Sequence, residues 1–473
     1  MSPAPTESAP AASGFDDAIN RNPAAASLRS FLNRLAPGAK ANGIIDAAIR
    51  RNPWLRHKVA SAVLRMRDWP VAEVAGLCAR LTERSLRDAR RTRYGRGRGG
   101  YDDWPLLSPG RVREAPADFV NPLKLFRAPA STGGTTGAPL QLTRSLESIV
   151  AEQFFLDELL APHGFSMHRS RIAVLRGDRV KDALDLEAPY GRLTHGGRRL
   201  ALSTMHLGPR TVSWFYRALR EFRPQVLWVY PSAALSLMKL LGDERARLGI
   251  PVILASSEVM PASLHLALER HFESDVINYY GQAERVCLAY STRPHRFFFH
   301  PGYGRVELAA ETSPEPGHRR FRIIGTSFWN SAMPLVRYDT GDAIIVPNDY
   351  DEAALNDVAL GRRHFLSIEG REGEYLLTRE GVRVIGLNQI PRELKNVFQM
   401  QLVQNAYDSV AVNVVAMPGF GPDDLHQIER QARAKIPAEM SVDVCVVEEL
   451  ATGPSGKAPF VIRLVDRERE RSR

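Results

Sequence analysis

Residues 25–92 place apolar side chains at helical spacing between charges, for example Ile44, Ile45, Ala48, Leu55, Val59, Val63 and Leu64, with breaks at Pro37-Gly38 and at Asp68 to Pro70. This pattern predicts a helical entry region reaching to about residue 123. From about residue 124 to 330 the period changes, and short β-branched runs alternate with helix-period segments. Strands are predicted at Arg171–Leu175, Val226–Tyr230, Pro251–Ala255 and Val276–Tyr280, and helices at Thr211–Phe222, Ala233–Leu241 and Pro261–Phe272. Such alternation specifies helices around a mainly parallel sheet. Phe321–Phe328 and Ala343–Val346 read as strands of a β portion. Beyond Gly370-Arg371 a shorter mixed unit follows: strands at Tyr375–Leu377 and Val382–Ile385, a helix at Pro391–Met400, a strand at Val410–Val415, a helix at Pro422–Lys435 and a strand at Val442–Val447.

The fold class expected is therefore α/β, with a large N-terminal domain of mainly parallel sheets, helices and a β portion, plus a small mobile α+β C-terminal domain. The predicted boundaries are a leader at 1–17, rich in Ala, Pro and Ser, a large domain at 18–370 and a small one at 371–473. At 473 residues the chain exceeds what one core organises, which agrees with two domains. Its three cysteines, Cys78, Cys287 and Cys445, are far apart and show no Cys-x-x-Cys spacing, which argues against a disulfide framework or a structural zinc site and fits a cytoplasmic protein. No apolar stretch reaches the roughly 18 residues that span a bilayer. The N-terminus lacks the basic start and apolar run of a secretory signal.

A net charge of +10 invites an acidic partner. The densest basic stretch, Arg84, Arg87, Arg90, Arg91, Arg93, Arg96 and Arg98, starts on a predicted helix and ends in a glycine-rich run. It reads as a solvated helix face followed by a loop. No interleaved aromatics or zinc-finger spacing support a nucleic-acid surface.

Candidate chemistry begins at Ser131-Thr132-Gly133-Gly134-Thr135-Thr136-Gly137. Its glycines allow close backbone approach to an anion, and its hydroxyls add donors to phosphate oxygens. It is not a GxxxxGK[ST] loop, because no Lys follows the last glycine. Taken alone it is equally an ordinary Gly/Thr turn. Five further segments follow in order: Tyr280-Gly281-Gln282-Ala283-Glu284, Arg337-Tyr338-Asp339-Thr340-Gly341-Asp342, Gly370-Arg371, Gly381-Val382-Arg383-Val384 and Pro454-Ser455-Gly456-Lys457.

In order and spacing these segments resemble the adenylate-forming superfamily of acyl-CoA synthetases, luciferases and peptide-synthetase adenylation domains. Tyr230-Pro231-Ser232, Ser257-Glu258 and the ending Phe460-Val461-Ile462-Arg463 make the chain look most like the phenylacetate-CoA ligase and capsule-biosynthesis branch. The resemblance implies ATP/AMP as nucleotide, Mg²⁺, a small carboxylic acid substrate, and coenzyme A or a carrier-protein phosphopantetheine as acceptor. It implies that Ser131 to Gly137 hold the departing phosphates, that Glu284 holds the metal, and that Asp342 and Arg371 contact the ribose. Ser257, Glu258, Tyr280 and Gly281 would flank the nucleotide, and Lys457 would bridge the substrate carboxylate and the α-phosphate. Gly373 would lie at an interdomain hinge and Gly381 beside the thiol tunnel, with Tyr230, Ser256 and Tyr279 lining the acid pocket.

Two departures stand against the pattern. Ala138 replaces a Lys common in relatives, and Ala283 replaces the usual Thr or Ser before the glutamate. Three readings stay open: transfer to a thiol, transfer to an amine, and a catalytically degenerate nucleotide-binding scaffold. An acidic carrier protein could be steered by the basic stretch.

Overall fold

A computed structural model of the chain describes residues 52–465 apart from 64–65, 132–139, 177–179, 182–184, 243–247, 314–316, 370–374, 378, 380–382, 385–386, 388–389, 392–393, 395, 434, 438–439 and 453–457. Helices α1 (Pro53–Val63) and α2 (Val71–Ala89) open the described chain. Val74, Leu77, Cys78 and Leu81 of α2 turn one stripe into a core shared with Val59 and Val63 of α1. Short α3 (Pro109–Glu114) is capped by Ser108, whose hydroxyl accepts from Arg111 N. The hairpin of β1 (Ala128–Ser131) and β2 (Gln141–Arg144) leads into α4 (Leu146–Leu160), which is capped in the same way by Ser145.

The central layer comprises β3 (Ile172–Leu175), β4 (Gly191–Thr194), β5 (Arg199–Leu202), β6 (Val226–Val229), β7 (Val252–Ser256), β8 (Asp275–Gly281), β9 (Leu288–Ser291) and β10 (Phe298–Phe299). They form one sheet in the order β10-β9-β8-β7-β6-β3-β5-β4. Pairings from β5 through β3, β6 and β7 to β8 are parallel, and both edges are antiparallel. Every residue of β3 and β7 is buried, as expected of strands covered on both faces. On one face Leu175, Val229 and Ile253 pack with α5 (Val212–Phe222), α6 (Pro231–Leu241) and α7 (Ala262–Phe272). On the other, Val174, Leu254 and Tyr279 pack with Leu156, Leu159 and Leu160 of α4.

A second sheet, antiparallel throughout, orders β11 (Gly304–Glu311), β12 (His318–Ser327), β13 (Tyr338–Pro347) and β14 (Ser367–Glu369), with α8 (Glu352–Ala359) between β13 and β14 in sequence. Gly304 and Gly325 sit where a Cβ would come within 1.9 Å of the Val286 carbonyl oxygen and 2.6 Å of the Val286 side chain respectively. Those contacts press the sheet against the turn that follows β8.

The C-terminal unit holds β15 (Leu376–Leu377), β16 (Arg383–Val384), β17 (Val397–Ala406), β18 (Ser409–Ala416), α9 (Pro422–Arg433), β19 (Ser441–Val446) and β20 (Val461–Arg463). Four of its strands form a sheet ordered β19-β18-β17-β20, and its core draws only on residues 376–461. The helix expected at Pro391–Met400 is corrected over its second half: Val397 to Met400 open strand β17, while Arg392, Glu393 and Lys395 lie outside the described residues. Leu394, Val397 and Met400 mimic a helical period, but β17 pairs on both sides, with β18 and with β20. Burial of both faces erases the alternation that marks a strand in sequence. Even two of its polar residues, Gln401 and Gln404, are fully enclosed: the Gln404 amide donates to Leu377 O and accepts from Leu377 N, and Gln401 makes the same exchange with Ala451. Helices α4 and α8, the hairpins β1–β2 and β4–β5, and strands β9 to β11, β14 and β20 are further elements that the hydrophobic pattern does not predict.

The basic stretch is more than a solvated face. Arg84 stacks 4.4 Å over Trp329 and donates to Phe328 O, while Arg98 stacks over Tyr94 and Trp104. Arg90 donates to Gly99 O and pairs with Glu83. These guanidiniums therefore hold local structure, and Arg91 and Arg93 pair with Asp88 and Asp118.

Helix α6 meets the C-terminal unit through Lys239, whose ammonium donates to Leu394 O at 3.3 Å and Val397 O at 2.5 Å. Burial lowers its pKa below the ordinary lysine value, so each carbonyl contact matters to the charged form. Replacing Lys239 with Met is expected to weaken this docking about tenfold, since a hydrogen bond to a charged group contributes roughly 1.5–3 kcal/mol before exposure reduces it. Energy transfer between dyes on α7 and α9 would register the change as a broadened distance distribution. An unaltered distribution would mean that apolar packing alone holds the two units together.

Candidate active site

The C-terminal ends of the parallel strands carry the first group of candidate residues. Tyr230 follows β6 and caps α6, Ser256 closes β7, Ser257 follows it, and Tyr279 to Gly281 end β8. In an open parallel sheet this edge receives ligands, because side chains from successive loops converge there. Ser256 and Tyr279 are buried, Tyr230, Glu258, Tyr280 and Gly281 are half-buried, and Ser257 is exposed. Ser257 has φ 71°, a conformation that costs a non-glycine residue energy and clusters at functional sites.

Two further strained residues lie beside the acidic motifs: Arg285, after Glu284, at φ 56°, and Arg337, before Tyr338, at φ 51°. Each is pinned by its side chain. Arg285 donates to Ser148 O and Ser148 Oγ on α4, and Arg337 donates to Trp104 O and Glu307. Arg144, at the end of β2, donates to Ala283 O at 3.1 Å. The turn bearing Glu284 is thus clamped from two directions. Glu284 is 1% exposed, so it is not the surface glutamate that would have explained it trivially.

Thr340-Gly341-Asp342 is not a simple β-turn. It lies inside β13 at a register shift: Arg322 pairs with Ala343 and Ile324 with Asp339, leaving three residues of β13 opposite Ile323. This bulge takes its shape from Gly341 at φ 73° and from Thr340 Oγ1, which donates to Ile323 O. A bulge re-aims one side chain without ending the strand. Here it delivers Asp342 to the end of β8.

The two motifs exchange tyrosines. Tyr280 Oη donates to Asp342 Oδ2 at 2.6 Å, and Tyr338 Oη donates to Glu284 Oε1 at 2.7 Å. Each segment therefore satisfies the carboxylate of the other. Burial first, then the Asp342 carboxylate, raises the Tyr280 pKa well above the ordinary phenol value, so it stays a protonated donor. Gln282 Nε2 donates to Cys287 Sγ, and burial pushes that thiol far up, leaving it inert as a nucleophile. Asp342 is 6% exposed, with one oxygen engaged by Tyr280.

Among the described residues no three His, Cys, Asp or Glu side chains cluster as a metal-binding group. A buried carboxylate such as Glu284 nonetheless suits Mg²⁺, which takes one or two carboxylates and completes its shell with phosphate and water.

Of the remaining sequence candidates, Ser131 ends β1 opposite Gln141, so the glycine-hydroxyl segment joins the two strands of a hairpin. Ala130, Leu140 and Leu142 of that hairpin share a core with Tyr280, Ala283 and Tyr338, which brings the flanks of the segment to the paired carboxylates. Thr132, Gly133, Gly134, Thr135, Thr136 and Gly137, and likewise Ala138, Arg371, Gly373, Gly381 and Lys457, lie outside the described residues. The residue that sequence reasoning missed is Arg176, at the end of β3. Its Nη2 donates to Ser257 Oγ at 2.9 Å, and its guanidinium lies 4.1 Å over the Trp228 ring and 5.5 Å from that of Tyr230. The available signal was a cation directly after a buried strand.

With this geometry established, similarity to known proteins bears on it. Over 85% of this chain and 92% of the other, the structure superposes with a TM-score of 0.58, at 14% identity, on 2-hydroxyisobutyryl-CoA ligase in the postadenylation state in complex with 2-HIB-AMP. The fold is that of the adenylate-forming ligases. Residues 376–464 match the CapK C-terminal domain family. The protein CapK of Staphylococcus aureus is 21% identical over 365 residues, 76% of this chain and 79% of that protein. Phenylacetate-coenzyme A ligase of Escherichia coli (strain K12) is 22% identical over 236 residues, 46% of this chain and 51% of that ligase. The superfamily resemblance carried by the ordered motifs is thereby matched in fold and in relatives. Among the described residues no helix is long and apolar enough to cross a membrane.

Proposed function

We propose that this chain activates a small carboxylic acid with ATP as an acyl adenylate, releasing pyrophosphate, and then transfers the acyl group to a thiol of coenzyme A or of a phosphopantetheine on an acidic carrier protein. The observation that carries the reading is the reciprocal pairing of Tyr280 with Asp342 and Tyr338 with Glu284. It holds two carboxylates on separate segments together at the ligand-receiving edge of the sheet. In the first step a carboxylate oxygen of the acid bonds to the α-phosphorus, and the bond to the bridging oxygen of pyrophosphate breaks. In the second a thiolate sulfur bonds to the acyl carbon and AMP leaves. No electrons are exchanged with an outside oxidant or reductant.

Within this scheme the Ser131 to Gly137 segment holds the departing phosphates, as its link between β1 and β2 beside the Tyr280 core supports. Asp342 accepts from both ribose hydroxyls. Ser257, Glu258 and Gly281 flank the nucleotide, and Arg371 reaches the ribose from the domain junction. Glu284 would hold Mg²⁺, which when bound offsets charge on the transferring phosphates. Tyr230, Ser256 and Tyr279 line the acid pocket. The C-terminal unit, docked through Lys239 here, brings Lys457 to the reaction and turns about Gly373 so that Gly381 borders the thiol path. The Ala283 methyl removes a hydroxyl expected near the α-phosphate, leaving that contact to Lys457 and the loop amides.

The deciding experiment is a panel of carboxylic acids scored for ATP-dependent pyrophosphate release. Release with at least one acid supports the ligase, whereas nucleotide binding without release from any acid supports the degenerate scaffold. Asp342→Ala should weaken ATP binding by about 10- to 100-fold through the loss of a charge-assisted hydrogen bond. Calorimetry with ATP measures it, and an unchanged affinity removes Asp342 from the nucleotide site.

A further inference from the structure

Strands β3 and β6 are neighbours in the sheet, pairing Leu175 with Val229, yet the chain leaves them in opposite directions: after β3 it runs to β5 on one side, and after β6 to β7 on the other. That divergence is a topological switch point, where an open sheet leaves a crevice at its strand ends. Arg176 stands at this crevice. Its guanidinium stacks on Trp228, faces Tyr230 and spends Nη2 on Ser257.

Two buried donors here lack acceptors among the described residues, Arg176 Nε and Trp228 Nε1, and no described carboxylate pairs with Arg176. Stacking on an aromatic face compensates a cation only in part. Buried donors without acceptors are costly, and a cation among rings at a ligand crevice calls for an anion to complete it. Arg presents a planar fork matched to a carboxylate. Ser257, held at positive φ, keeps its hydroxyl on Nη2 and so fixes the plane of that fork.

We propose that Arg176 is a specificity-determining residue that selects acids carrying a second carboxylate, so that the substrate is a dicarboxylic acid activated at one end and held by Arg176 at the other. This rests on the ligase reading of the preceding section and adds the substrate class to it. Trp228 and Tyr230 then border the carbon frame between the two carboxylates. Their flat faces suit a planar or short frame better than a long flexible chain.

The test compares kcat/KM for pyrophosphate release within matched pairs, terephthalate against benzoate and glutarate against valerate, in wild type, Arg176→Gln and Arg176→Lys, with folding checked by circular dichroism. Wild type should favour the dicarboxylate of at least one pair by about 10- to 100-fold. That ratio should collapse toward one in R176Q and be partly kept in R176K, which retains charge without the fork. No preference in wild type overturns the inference. So does an equal loss on both members of a pair in R176Q, which would place Arg176 on a group common to all acids. Should no acid release pyrophosphate while ATP still binds, the ligase reading fails by itself. The pocket is then read by calorimetry with terephthalate and glutarate alone: binding to wild type that R176Q abolishes sustains the anion site, and absence of binding ends it.

Discussion

Replacing Lys457 with Ala should lower acid-dependent pyrophosphate release by roughly 10²–10³-fold, the usual cost of removing one preorganised electrostatic contact from a developing charge. Two anions must approach before the mixed anhydride forms, and a compact ammonium between them lowers their repulsion. Lys457→Arg should restore only part of the rate, because a planar guanidinium does not reproduce a point charge between two oxyanions. Supplying preformed acyl adenylate and a thiol isolates the second step, where the Ala variant should match wild type. An equal defect in both steps would show that Lys457 is not an adenylation residue. Its position in Pro454-Ser455-Gly456-Lys457, four residues before β20 begins, ties it to the unit that docks through Lys239.

Changing Glu284 to Gln should reduce pyrophosphate release by a comparable factor, about 10²-fold or more, while leaving the fold intact. The amide oxygen still accepts from Tyr338 Oη, so the buried phenol keeps its partner and only the negative charge is lost. Glu284→Ala should behave differently. It strands the Tyr338 hydroxyl in a fully buried position, adding a stability loss of about 1–3 kcal/mol that thermal unfolding would register. If the Gln variant retains wild-type activity across Mg²⁺ concentrations, Glu284 serves only to seat Tyr338. A fall that high Mg²⁺ partly reverses would link the charge to the metal.

The parallel core was legible because its strands carry their own signal. Ile172–Leu175, Val226–Val229 and Val252–Ser256 are short β-branched or apolar runs, separated by amphipathic helices whose buried residues recur at three and four. Local chemistry and tertiary burial agree there. They disagree at β17, where burial on both faces and two fully enclosed glutamines hide a strand within what reads as a helical period. Hairpins β1–β2 and β4–β5 were illegible for another reason: four-residue strands carry too few positions to establish a period of two.

The sequence by itself determined the identity and order of the chemical groups: the glycine-hydroxyl loop, Glu284, Asp342, Arg371 and Lys457, and the switch from a large α/β region to a small mixed one. A residue's chemistry and its place in a motif are properties of the chain alone. Only the tertiary structure decided how Glu284 and Asp342 are brought together. Nothing in the motifs foretells that Tyr280 serves Asp342 across 62 positions, or Tyr338 serves Glu284 across 54, because each pair is made by a bulge and a clamped turn on different sheets. Nor does it single out Arg176, one arginine among many until β3 and β6 pair and their loops part in opposite directions around it. The physical reason is the same in each case. Strand pairing is set by burial over long separations in sequence, and it alone decides which side chains share a crevice.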